Sequence, residues 1–194
     1  AGAENQQVGF GGETLNLPKP EGLCEVANHG PNSESFEFHA AFQRKVKNKL
    51  LALYEECLYL ERVKIGTAES GPPEWLLVTA YNPNPDKEIL YKNYSKQRFI
   101  EEVAKSMSNL DMDEIAKWAG DKSDQVLEDL SYNGKLALGK PIDLGILDIG
   151  DAVYHGIISD LKVGNESFII GAVFSYLLVN GVSVSIYKYK DYKD

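Results

Sequence analysis

"FIIGAVFSYLLVNGVSVSIYKYK", residues 168–190, decides the fold. Asn180 and Gly181 occupy the two central positions of a tight hairpin, where a type I′ turn needs positive φ at both and Asn-Gly supplies it. Folding the stretch about that two-residue loop pairs Val179 with Val182, Leu177 with Val184 and Ser175 with Ile186. This face is aliphatic and reads as the core side, packed on helices. The opposite face pairs Leu178 with Ser183, Tyr176 with Ser185, Phe174 with Tyr187 and Ala172 with Tyr189.

The ladder of Phe174, Tyr176, Tyr187 and Tyr189 admits two readings. As structure, aromatic cross-strand pairs stabilise a half-buried sheet face by a few tenths of a kcal/mol to about 1 kcal/mol. As function, the same four residues form a binding platform for a ligand, a glycan or a partner protein, since tyrosine suits contacts that are both apolar and polar. Lys188 and Lys190 fit either view, because charge on a terminal strand discourages edge-to-edge aggregation. The sequence leaves open whether the N-terminal segment covers this face.

Upstream, "IDLGILDIG" (142–150) meets "AVYHGIISDLKV" (152–163) across a turn, completing a four-stranded C-terminal antiparallel meander. Helices in the middle of the chain are available to cover it. Ser95 caps a segment with Phe99, Val103 and Met107 on one face. Asp111 and Glu114 open another, carrying Ile115, Ala119, Val126, Leu127 and Leu130, which Gly120 is expected to split. An earlier helix spans Glu34–Asn48, opened by Asn32 or Ser33 as the N-cap. "LLALYEECLYLERVKI" (50–65) fits both a helical stripe and a strand. Its leucine and aromatic content favours a strand, with "EWLLVTAY" (74–81) as antiparallel partner. The class is α+β: an antiparallel sheet ending in the four-stranded meander and packed on helices from the middle of the chain. Residues 1–16, rich in Gly, Gln and Asn, read as a flexible arm, and residues 17–194 as a single α+β domain. "NLPKPEGLCEV" (16–26) reads as an edge strand or strap tied down at Cys24.

A chain of 194 residues with formal net charge −9 lacks the basic face that sequence-independent nucleic-acid binding requires, and is repelled by anionic membrane surfaces. No apolar run reaches the roughly 18 residues of a membrane span. The chain starts at Ala1 with no visible signal peptide, as a mature exported protein would after cleavage. The two cysteines, Cys24 and Cys57, read most simply as a disulfide, or else as two reduced residues packed as small hydrophobes. Together these features suggest a periplasmic or secreted location.

Catalytic signatures are missing. There is no HExxH, GxSxG, P-loop or EF-hand pattern, and no Cys/His cluster for a metal, so neither a cofactor nor a metal is expected. The one polar constellation is Asp148 and Asp151 beside a turn with His155 on the returning strand. It reads as a tuned imidazole or as ordinary turn chemistry. His29 and His39 stand alone. Arg44, Lys45, Lys47 and Lys49 form an anion patch, or complement a helix C-terminus. Asn93-Tyr94-Ser95 and Asn165-Glu166-Ser167 match the glycosylation sequon. The leading expectation is a non-enzymatic exported module that binds a protein partner or small ligand through its aromatic sheet face. A small-ligand carrier, with a pocket between helices and meander, and a hydrolase with a scattered active site are the alternatives.

Overall fold

Strand β10 (Val182–Asp191) is hydrogen-bonded along both edges. On one side it pairs antiparallel with β9 (Glu166–Val179) in the register that the Asn180–Gly181 turn dictates. The two turn residues have φ of 51° and 78°. On the other side β10 pairs with β5 (Glu74–Tyr81), Ser185 opposite Thr79 and Tyr189 opposite Trp75. The computed structural model, which describes residues 6–30, 33–68, 71–132, 136–163 and 166–192, thus joins the meander to the earlier strands in one antiparallel sheet. Its order is β3 (Leu23–Glu25), β4 (Asn48–Glu56), β5, β10, β9, β8 (Val153–Val163). Beyond β8, two strands share its outer edge: β6 (Leu136–Leu138) opposite residues 161–163 and β7 (Ile142–Ile149) opposite 153–158.

Among the described residues four helices accompany the sheet: α1 (Ser33–Lys45), α2 (Cys57–Lys64), α3 (Lys96–Met107) and α4 (Met112–Asp129). The Ser95 hydroxyl accepts the Arg98 N–H, and the Asp111 carboxylate accepts those of Asp113 and Glu114, as the sequence predicts. Of the two N-cap candidates for α1, Ser33 is the first helical residue and Asn32 lies outside the described residues.

Several readings need correction. Residues 50–56 are strand as favoured, but from Cys57 the chain is helical; β4 gives way to α2 where the Cys57 N–H bonds the Gly22 carbonyl at 3.1 Å. Gly120 does not split α4, which runs unbroken because the packing of the helix outweighs one glycine's propensity cost. The helices do not cover the aliphatic face of the last hairpin. That face is core, with Val182 and Val184 buried, but it packs against a second hairpin of β1 (Gln6–Phe10) and β2 (Glu13–Leu17).

This second hairpin falls where composition suggested a flexible arm. Val8 and Phe10 on one strand, Leu15 and Leu17 on the other, alternate inward, while Gln7, Gly9, Thr14 and Asn16 face water. Gly11 and Gly12 turn the chain at φ of 60° and 83°, and the missing side chain at Gly11 leaves room for Leu90. The Tyr54 hydroxyl donates to Gln6 Oε1 at 2.6 Å. Glu88 accepts the Gly11 N–H at 2.5 Å and pairs with Lys49. The hairpin covers β4, β5 and β10; further along the same face, over β7 to β9, Ile142, Tyr154, Ile169 and Val173 are exposed.

The opposite, aromatic face carries the helices. Phe36 and Ala40 of α1 and Leu60 of α2 pack on Leu50, Leu53, Leu77 and Trp75. Helix α3 lies against β7, β8 and β9, and α4 against α1 and β6. Cys24 and Cys57 form a disulfide with their Cα atoms 4.9 Å apart, closing a separation of 33 residues. Loop-closure entropy makes such a link worth about 3–4 kcal/mol.

Two measurements follow from this architecture. A Cβ on Gly120 meets nothing within 4 Å, so Gly120→Ala should raise stability by about 0.5–1 kcal/mol, read as a higher denaturant midpoint at unchanged slope. The Lys49 ammonium, and then the Gly11 N–H, hold the Glu88 carboxyl below its usual 4.5. Its contribution is therefore present above that value and lost as pH falls through the lower folded-state pKa. Amides of residues 6–17 should exchange faster in Glu88→Gln than in wild type at neutral pH, and the difference should vanish in strong acid.

Candidate functional site

The aromatic face is a continuous array of rings. Tyr176 meets Tyr187 edge-on at 6.3 Å, Tyr187 meets Phe174 at 5.4 Å, and Phe174 meets Tyr189 at 6.0 Å. Tyr189 stacks on Trp75, centroids 5.0 Å apart and planes 11° from parallel. The pairings of β9, β10 and β5 set this array, since cross-strand neighbours share a face. Burial pushes the hydroxyls of Tyr176, Tyr187 and Tyr189 up from the ordinary phenol value. For Tyr176 and Tyr189 the neighbouring tyrosines add to this, whereas around Tyr187 the side chains of Ser185, Thr79 and Asn48 oppose it. These rings are neutral at physiological pH: surfaces and hydrogen-bonding groups, not phenolate bases.

At the Trp75 end of the array, residues of α1, β8 and β9 border a cavity of about 220 Å³. Phe38, Trp75, Leu161, Phe168 and Ile170 form much of its apolar wall. Ser35 and His39, one helical turn apart on α1, line it as well. Ser35 donates its hydroxyl proton to Glu55, whose carboxyl is buried at 1% exposure. Burial raises the Glu55 pKa, and the Ser35 hydrogen bond only partly opposes this. Part of the His39 surface faces the cavity, but the ring is surrounded by protein, and this desolvation lowers its pKa to about 4. His39 is therefore a neutral imidazole at physiological pH.

The residues expected to act together around His155 are separated. Asp151 is exposed and bridges to Lys96 at 2.6 Å; that hydrogen bond is the chief reason its carboxyl sits below the usual range. Asp148 pairs across the strands with Tyr154, on the face opposite His155. The carboxylate that reaches His155 is Asp143, at 2.8 Å from Nε2. That separation suits an ion pair, yet neither ring nitrogen makes a directed hydrogen bond. His155 is almost fully buried, 1% exposed, opposite Phe174.

Arg44 and Lys45 end α1, with Lys45 bridging to Asp129 at 2.7 Å, so this part of the basic cluster complements the helix terminus and ties α1 to α4. Lys49 holds Glu88. His29 is exposed in a loop beside Asn28. Asn93 is exposed, whereas Asn165 lies outside the described residues. No group of three or more His, Cys, Asp or Glu among the described residues is placed to hold a metal ion. No helix among them is long and apolar enough to cross a membrane.

Ser35, Glu55 and Trp75 are residues in or beside the candidate site that sequence reasoning missed. The available signals were the four-residue spacing of Ser35 and His39 on one helix, and the register that brings Trp75 opposite Tyr189. No protein-family model matches the chain, and no curated protein does either.

Because its folded-state pKa is raised, Glu55 lowers stability progressively as pH rises from its unfolded value near 4.5 towards the folded one. Glu55→Gln keeps an acceptor for Ser35 and removes the charge. It should be more stable than wild type at neutral pH, and the advantage should disappear below the unfolded-state value; urea titrations at both pH values check it.

Proposed function

We propose that this chain is a non-enzymatic, exported binding module that holds a small apolar ligand on its aromatic sheet face, in the cavity between α1 and strands β8 and β9. The observation that carries the reading is that cavity of about 220 Å³. Its wall is apolar, with a few convergent polar groups, and it continues the ring array of Phe174, Tyr176, Tyr187 and Tyr189 through Trp75. Such a combination is what small-molecule sites generally present. The disulfide supports the exported location, since such bonds persist in oxidising compartments.

The hydrolase alternative has less to support it. His155 is buried, its carboxylate neighbour is Asp143, and Asp148 faces away. A general base needs hydrogen-bond reach to a substrate proton.

Phenethyl alcohol, an uncharged aromatic probe, tests the site. The protein has two tryptophans, and Trp118 is 47% exposed, so Trp118→Phe leaves the emission of Trp75 alone. Saturable change in that emission on titrating the alcohol is expected, and Leu161→Phe, which fills the cavity, should abolish it. A large added side chain costs about 1–3 kcal/mol, so circular dichroism must show the variant folded. No saturable change in wild type, or equal binding in the folded variant, would sink the reading.

A further inference from the structure

We infer that the cavity selects a small apolar ammonium, a hydrophobic body bearing one cationic amine, over neutral or acidic molecules of the same shape. This rests on the ligand-binding reading above and adds the charge of the ligand to it.

The side chains with acceptor atoms that line the cavity are Ser35, His39, Glu166 and Asp191. Ser35 spends its one proton on Glu55, so it turns lone pairs toward the cavity. Neutral His39 keeps an unprotonated ring nitrogen, which accepts. Glu166 and Asp191 are carboxylates and accept only. Among the described residues no lysine or arginine lines the space. All four can accept a hydrogen bond, the Trp75 indole N–H is the donor-only side chain beside them, and among the described lining residues the full charges are negative. The Trp75 indole adds its face, already aligned by stacking on Tyr189. An indole face attracts a cation through its quadrupole.

An ammonium group satisfies this set, because it brings donors and positive charge to acceptors and negative charge. A carboxylate ligand would face two like charges, with the imidazole N–H of His39 and the indole N–H of Trp75 as the side-chain donors. An alcohol falls between. The net charge of −9 acts in the same direction, since it draws cations to the surface and repels anions.

Phenethylamine, phenethyl alcohol and phenylpropionate share one hydrocarbon body and differ in charge. Each is titrated against the Trp118→Phe protein at neutral pH and low salt, following Trp75 emission. The amine should bind at least about tenfold more tightly than the acid, with the alcohol between them, and added salt should narrow the gap. In the Glu166→Gln, Asp191→Asn double variant, shown folded by circular dichroism, the amine's advantage over the alcohol should collapse. Alcohol binding with equal or stronger binding of the acid overturns the charge selection and leaves the ligand-binding reading standing. An amine preference that survives the double variant overturns the assignment to those carboxylates. Failure of all three probes overturns the reading and the inference together.

Discussion

Strand β10 bonds to β9 on one edge and to β5 on the other, and the rest of the structure depends on that double engagement. Without the β5 pairing, residues 23–81 and the C-terminal meander would be separate sheets, each with an open edge. With it, one residue in two on β10 must be apolar towards each side. Val182, Val184 and Ile186 meet the β1–β2 hairpin, and Tyr187 and Tyr189 meet the residues packed beneath α1. A slip of one position would exchange the two sets and turn Lys188, which shares the aliphatic face with Val184 and Ile186, into the aromatic face beneath α1. The Asn180–Gly181 turn fixes the register against that slip by setting the loop at two residues.

What the sequence discloses follows from how local each signal is. The hairpin at Asn180–Gly181, the caps at Ser95 and Asp111, and the strand at Glu74–Tyr81 are legible because their causes lie within a few residues. The β1–β2 hairpin escaped because its polar composition outweighed a short alternation of Val8, Phe10, Leu15 and Leu17. Its stability comes from a surface that the sequence does not display, the aliphatic face of strands far along the chain. The same limit explains which face the helices cover. An aliphatic face and an aromatic face both want burial, and only the tertiary arrangement decides which receives a hairpin and which receives helices.

The candidate site was half legible for a related reason. Register arithmetic placed Phe174, Tyr176, Tyr187 and Tyr189 on one face, because pairing within a hairpin is local. Trp75 joins them only through the pairing of β5 with β10, across more than a hundred residues of chain. The Asp148, Asp151 and His155 grouping relied on nearness in sequence at a turn. A strand sends neighbours to opposite faces, so His155 went inward to Asp143 while Tyr154 turned outward.

The cavity and the buried Glu55 both lower stability, the first by forgone packing contacts and the second by desolvation of an acid. They lie together at the α1 end of the aromatic face, and the disulfide lies beside them. Cys24 pairs with Glu55 across β3 and β4, and Cys57 begins the helix two residues after Glu55. Strand β3 is only three residues long and forms the sheet edge, the kind of element that frays readily. Fraying there would admit water to the Glu55 carboxyl, let it ionise freely and release Ser35 from its hydrogen bond. The Cys24–Cys57 link opposes that opening by constraining the edge strand against β4. It thereby keeps Glu55 dry and the Ser35 proton engaged, so the Ser35 lone pairs on the cavity side are maintained by a covalent bond outside the cavity's apolar wall.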